Sequence, residues 1–170
     1  MEQPNNPETR LEHVIPAPKV ITPHHISCNV EQSLHAAMRE KVQLIKSGPS
    51  MQMSDLCSAA LQLVVEMHGW EDCVIHRACE RALARGEAHP KYNRVPLHEA
   101  IVAHFVTLYD SQRANRARIV FQTGEFVSAG IDIALARSDA VVAIRTQVLR
   151  QYSRRTVAGP PLRLSQDVPS

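Results

Sequence analysis

The chain has 170 residues, of which 44% are hydrophobic, and a net charge of +2. This length can bury the core of one domain. No apolar run approaches the roughly 20 residues that cross a bilayer, so the composition excludes a membrane-spanning protein. The first residues lack the basic and apolar regions of a secretory signal, and four cysteines in such a chain do not indicate a disulfide framework. We therefore expect a cytoplasmic protein without cofactor or bound metal.

Both ends of the chain are rich in proline and show no sustained periodicity. Residues 1–23 contain five prolines among polar residues, and residues 158–170 contain three. Such segments cannot bury enough apolar surface to fold alone. We expect a flexible N-terminal arm and a flexible C-terminal tail around a folded region at 24–157.

The first predicted unit covers residues 24–68. Apolar and polar residues alternate over His25–Glu31, which predicts a short strand. Apolar residues then recur every three or four positions over Gln32–Lys46, which predicts an amphipathic helix. Residues 47–50 hold glycine and proline and end that helix. A second helix is predicted from Met53 to about residue 68, with Ser54 as its N-cap.

A helical connection is predicted for residues 69–117. Glu71–Arg85 is periodic and is followed by Gly86 and Pro90. Pro96 is then expected to open another helix, because proline is favoured at the first helical position. Leu97, Ile101, Phe105 and Leu108 would line one side of it.

A second unit is predicted for residues 118–157. Its strand would run over Arg118–Thr123, where Ile119, Phe121 and Thr123 alternate. Helices are predicted over Glu125–Ala136 and from Ala140 to about Arg155. The order of strand, helix and helix thus occurs twice.

This pattern resembles the ribbon-helix-helix superfamily of Arc- and MetJ-type DNA-binding proteins. Two segments carry the resemblance: ISCNVEQSLHAAMREKVQLIKSGPSMQMSDLCSAALQLVV and RIVFQTGEFVSAGIDIALARSDAVVAIRTQVLRQY. Two units in one chain are similar in topology to the T-DNA transfer accessory protein of crown-gall bacteria. The resemblance implies a mainly α fold: a tandem ribbon-helix-helix, forming an intramolecular pseudo-dimer with one two-stranded antiparallel β-ribbon and a helical insert.

The resemblance also implies that the outer face of the ribbon enters the DNA major groove. Alternation places polar side chains on that face, and amide and guanidinium groups suit base edges. The base-reading residues expected are His25, Ser27, Asn29, Arg118, Val120 and Gln122.

The resemblance further implies phosphate contacts where the second helix of each unit begins, at free N–H groups that attract anions. The residues expected at these contacts, together with one arginine before the second strand, are Met53, Ser54, Ala140, Val141 and Arg116.

The function expected is site-specific binding of double-stranded DNA without catalysis, in conjugative or T-DNA-like transfer. A relaxase, another DNA-transfer protein or a partition protein would be natural partners. The alternative settings are transcriptional repression and plasmid maintenance.

Four other interpretations remain open at this stage. Cys73, His76 and Cys79 raise a zinc site, although Cys73 and Cys79 lie well apart around a helix. A hydrolase would need a catalytic motif, and no GxSxG, HExxH or phosphate-binding glycine loop occurs. The helical connection alone suits a protein-interaction module. A small helical domain with two incidental extended segments would show the same periodicities.

Overall fold

The chain folds into helices around a single two-stranded antiparallel sheet, within the residues that the structure describes. The computed structural model describes residues 24–46, 48–86, 88–114 and 122–156, with side chains described as far as residue 151. The elements are β1 (His25–Glu31), α1 (Gln32–Met38) continuing as a π-helical turn (Arg39–Gln43), α2 (Met53–Val65), α3 (Trp70–Arg85), β2 (Tyr92–His98), α4 (Glu99–Ala114), α5 (Thr123–Ala136) and α6 (Ala140–Thr156). This order, one strand followed by helices, occurs twice along the chain.

The two strands pair symmetrically about their midpoints. His25 lies opposite His98, Cys28 opposite Val95, and Glu31 opposite Tyr92. Both strands have 7 residues, so the central pair, Cys28 and Val95, lies on an approximate two-fold axis of the ribbon.

Proline is accommodated in β2 because of this register. The Gln32 N–H donates to the Lys91 carbonyl at 2.8 Å, and the Glu99 N–H donates to the His24 carbonyl at 2.9 Å. In an antiparallel ladder, hydrogen-bonded and non-hydrogen-bonded pairs alternate. Even-numbered positions of β1 therefore carry the ladder bonds, and the pair of Ser27 with Pro96 carries none. Pro96 lacks an N–H but removes no bond from the sheet.

The core lies between two central helices, α2 and α5. Consecutive side chains are buried in both, over residues 55–61 and 126–131. Helix α2 packs on β2 and α6, and α5 packs on β1 and α3. Each half of the chain thus places a central helix on an element of the other half. Since both faces of these helices exclude water, the two halves share one core rather than two.

The predicted pairing of β1 with Arg118–Thr123 is wrong. β1 pairs with Tyr92–His98, and the chain is already helical at Thr123, while residues 118–121 lie outside the described ranges. Pro96 therefore lies within a strand and does not open a helix; α4 begins at Glu99. The remaining predicted helices are confirmed with small changes of boundary, because long runs of apolar residues at helical spacing are a strong signal.

Several predictions fall on residues outside the described ranges. These are the N-terminal arm at 1–23, the C-terminal tail at 158–170, and the side chains of Arg116, Arg118 and Val120. In the described part of the chain, none of the helices combines the length and the apolar character needed to cross a bilayer.

Candidate nucleic-acid interface

The outer face of the ribbon is a row of exposed, mostly polar side chains. His25, Ser27 and Asn29 project from β1 and are exposed, as the alternation predicted. Arg94 and Pro96 are exposed on β2. Asn29 lies opposite Arg94, and directly paired residues point to the same face. This pair, next to the centre of the ribbon, therefore joins an amide and a guanidinium group, each able to make two parallel hydrogen bonds.

Two serines hold the outer edges of the ribbon to the central helices. The Ser58 hydroxyl on α2 accepts a hydrogen bond from the His98 N–H at 3.1 Å, and the Ser128 hydroxyl on α5 accepts one from the Glu31 N–H at 3.0 Å. Both strand amides point away from the partner strand and would otherwise be unpaired edge groups. The ribbon is thus fixed to the core at both of its ends.

The start of α5 packs directly against β1. A Cβ atom on Gly124 would lie 2.9 Å from the Asn29 carbonyl oxygen and 3.0 Å from the Asn29 Cβ. Only glycine permits this approach. The helix begins with Gln122 as N-cap, whose N–H donates to the Glu125 carboxylate at 2.8 Å. The other oxygen of Glu125 accepts from Arg85 at 2.7 Å, so this acidic group is neutralised beside the ribbon.

The start of α2 is shaped by the loop before it. Gln52, not Ser54 as predicted, is the N-cap, and no side-chain cap bonds the first amides of the helix. Gly48 in the loop has φ of 96°, a conformation that favours glycine. Arg145 from α6 donates to the carbonyls of Val42 and Pro49 at 3.1 and 3.2 Å. Arg145 therefore joins α6 to the π-helical turn and to the loop before α2.

Acidic groups near the ribbon are turned inward or paired. The Asp55 carboxylate is buried, and its Oδ1 lies 3.4 Å from the His98 Nε2. Arg81 donates to Glu31 at 2.6 Å and to Asp132 at 2.9 Å. Partial burial of the Glu31 carboxylate works against its ionisation. Hydrogen bonds from Arg81 and from a neighbouring serine outweigh this effect and lower the pKa of Glu31 below its usual value. Each of these three carboxylates therefore has a basic partner, and none of them adds an unpaired negative charge to the outer face.

Gln122 does not lie on the ribbon, contrary to the prediction. It precedes α5 in an extended conformation and is exposed. The error follows from the choice of the wrong partner for β1. The strand that pairs with β1 is β2, which ends at His98, 24 residues before Gln122.

The phosphate contacts predicted at Ala140 and Val141 were also assigned to the wrong helix start. They begin α6, which is the third helix after β2, whereas α5 is the second. Ala140 is buried and Val141 half-buried. The helix start that corresponds to Met53 and Ser54 of α2 is therefore that of α5.

Sequence reasoning missed Arg94 and Pro96. An internal repeat gives an approximate signal: Ser58-Ala59 in α2 and Ser128-Ala129 in α5 are 70 positions apart, and both serines bond a strand. A spacing of 70 carries His25–Glu31 to residues 95–101, which overlap the second half of β2 but miss Arg94.

The cysteines do not form the zinc site that the sequence raised. Cys73 is exposed and Cys79 half-buried on α3, and His76 faces Glu80 with 3.6 Å between Nδ1 and Oε1. Three potential ligands at the end of the ribbon do converge: His25, Asp55 and His98.

Comparisons of the chain with family models, curated proteins and solved structures gave no match.

Proposed function

We propose that this protein binds double-stranded DNA at specific sites by inserting the β1–β2 ribbon into the major groove. The fold that we propose for this role is a tandem ribbon-helix-helix, in which one chain supplies both units. The first unit holds β1, α1 and α2, and the second holds β2, α4 and α5. α3 and α6 then complete each half.

The observation that carries the proposal is the exposed pair of Asn29 and Arg94, next to the centre of the ribbon. The major groove admits a two-stranded ribbon, and its base edges carry a donor and acceptor pattern that differs for each base pair. An asparagine side chain suits adenine and an arginine suits guanine. Ser27 beside them can donate or accept a hydrogen bond. The attachment of the ribbon to the central helices through Ser58 and Ser128 supports base recognition, because base contacts require side chains held in position.

Phosphate contacts are proposed at the two helix starts that flank the ribbon. Those of α2 involve Met53 and Ser54, and those of α5 involve Thr123 and Gly124. Gly124 touches the backbone of Asn29, so the first turn of α5 lies beside the reading face. Backbone N–H groups at such starts attract phosphate. These contacts would position the protein without specifying sequence.

The proposed DNA site is asymmetric. Rotation about the two-fold axis of the ribbon places Ser27 on Arg94 and Asn29 on Pro96, so the two halves of the reading face differ chemically. A symmetric homodimer favours palindromic half-sites, whereas this face does not. Such a site suits an origin of conjugative or T-DNA-like transfer, and an accessory role there, beside a relaxase, is the setting that we propose.

The test begins with selection of bound sequences from random duplex DNA by the full chain. Fluorescence anisotropy then compares the selected duplex with a scrambled one at fixed salt, because affinity for DNA depends steeply on salt. Arg94→Ala and Asn29→Ala are each expected to lower the ratio of specific to nonspecific affinity about 5- to 150-fold, as one bidentate contact contributes about 1–3 kcal/mol of discrimination.

Arg113→Ala is the matched control for Arg94. This arginine is also exposed but lies 14 residues beyond the start of α4, about 21 Å along the helix. Its substitution should leave the specificity ratio unchanged. Equal effects of the two arginine substitutions, or a palindromic selected sequence, would contradict the proposed reading face.

A further inference from the structure

We propose that the His98 end of the ribbon binds a divalent transition-metal ion, with Zn²⁺ as the first candidate. The ligands are His25 from β1, His98 from β2 and Asp55 from the first turn of α2. One potential ligand atom of each lies within 4.8 Å of those of the other two. No spacing motif announces this site, because the three residues are far apart in the sequence and only the fold brings them together.

The distance between the two buried ligands fits zinc. The Asp55 Oδ1 lies 3.4 Å from the His98 Nε2. A tetrahedral zinc ion with bonds of about 2.0–2.2 Å separates two of its ligands by about 3.3–3.6 Å. His25 is exposed, and its ring meets that of His98 edge-on with centroids 4.9 Å apart. Because the three ligand atoms already lie within 4.8 Å of one another, a rotation of this exposed side chain would bring its nitrogen toward the same ion.

Two of the ligands are held in place before any ion binds. Asp55 and His98 are 5% and 8% exposed, and the His98 N–H is fixed by Ser58. Strand pairing sets His25 directly opposite His98. A site whose ligands are already positioned loses little conformational entropy on binding.

The donor set decides the class of metal. Two imidazoles and a carboxylate suit zinc and its neighbours in the first transition series better than Ca²⁺ or Mg²⁺, which prefer oxygen ligands. Three protein ligands leave one position open to water. The exposed side of His25 gives that position access to solvent.

The opposite end of the ribbon predicts the stoichiometry. The positions there that correspond to His25 and His98 hold Tyr92 and Glu31, and Glu31 is already engaged by Arg81. That end offers no imidazole at these positions. Among the described residues no other group of three such ligands converges, so one metal ion is expected in this part of the chain.

The experiment uses the full chain without a histidine tag, stripped of metal by dialysis against a chelator. Zn²⁺ is titrated in competition with a chromophoric chelator, and Co²⁺ serves as a spectroscopic probe. One equivalent should bind and raise the melting temperature. The Co²⁺ spectrum should lack the strong near-ultraviolet band of thiolate ligands.

His25→Ala is the decisive variant, because this exposed residue can be removed without opening the core. Loss of outer partners of a metal ligand lowers affinity 10- to 100-fold, so loss of a ligand itself should lower zinc affinity at least about tenfold. Asp55→Asn should act in the same direction. His76→Ala, an exposed histidine of α3, is the matched control and should bind like the parent.

Absence of stoichiometric zinc binding by the parent would overturn the proposal. So would unchanged affinity in His25→Ala, since the ion would then lie elsewhere. The assay contains no DNA, and its result is therefore independent of the proposed function.

Discussion

Removing the hydroxyl of Ser58 or Ser128 should destabilise the protein by detaching one end of the ribbon from the core. Both serines are almost fully buried, at 0% and 1% exposed. Alanine leaves the strand amide without a partner, which costs about 1–3 kcal/mol for a buried group. Alanine also favours the helix over serine by about 0.5 kcal/mol. The expected net loss is about 0.5–2.5 kcal/mol for each variant. Ser58→Ala should lose more, because its bond to the His98 amide is buried whereas that of Ser128 is partly exposed.

Urea unfolding measures this loss as a shift of the midpoint at constant slope. Hydrogen exchange gives the local readout, because the amides of His98 and Glu31 should each lose protection in the matching variant only. Ser111→Ala is the control: this exposed serine bonds a carbonyl of its own helix at 2.8 Å, and its loss should stay within about 0.5 kcal/mol. If both buried variants behave like the control, the serines do not hold the ribbon and the reasoning is refuted.

Two further substitutions test other parts of the structure. Gly124→Ala should lower the free energy of unfolding by about 1–3 kcal/mol in urea, because the new methyl meets the Asn29 backbone at 2.9 Å and α5 must shift; an unchanged midpoint would show that the contact is loose. Burial raises the pKa of the Cys57 thiol from 9.0 to about 12, so the folded state keeps a proton that the unfolded state releases above pH 9. Stability from this group is full below pH 9 and falls as the pH rises toward 12. The parent should therefore lose about 1.4 kcal/mol more than Cys57→Ala between pH 8 and pH 10, and equal losses would contradict the burial of this thiol.

The helices and the first strand could be predicted because their apolar residues recur at the spacing typical of a helix or of a strand. Helix α2 has apolar side chains along its whole length, and β1 alternates Ile26, Cys28 and Val30. Such patterns report which side of an element meets the core, and the core imposes them.

The second strand was not predictable by the same reasoning. β2 carries only Val95 and Leu97 as apolar alternation, and Pro96 between them is typical of a helix start or a turn. Pro96 is tolerated in this strand because it pairs with Ser27, at a position where the ladder needs no N–H donor. β1 is paired with β2 and not with segment 118–123, so tertiary pairing rather than local alternation decided which segment completes the ribbon.

The β1 half of the candidate DNA-reading face could be predicted from the sequence, because the alternation within β1 does not depend on its partner. His25, Ser27 and Asn29 were predicted from β1 alone and are exposed. Arg94 depended on knowing which segment pairs with β1, and the spacing of 70 between the two serine-containing helices indicates that segment only to within three residues. The converging His25, Asp55 and His98 could not be predicted at all, because no periodicity links a strand end to a helix start.

A ribbon whose strands both belong to one polypeptide forms by a unimolecular step. In proteins assembled from two identical subunits, dilution separates the subunits and removes the ribbon. Here the pairing of Cys28 with Val95 is independent of concentration. The sheet therefore needs no second subunit, and its outer face is complete in a single chain at any dilution.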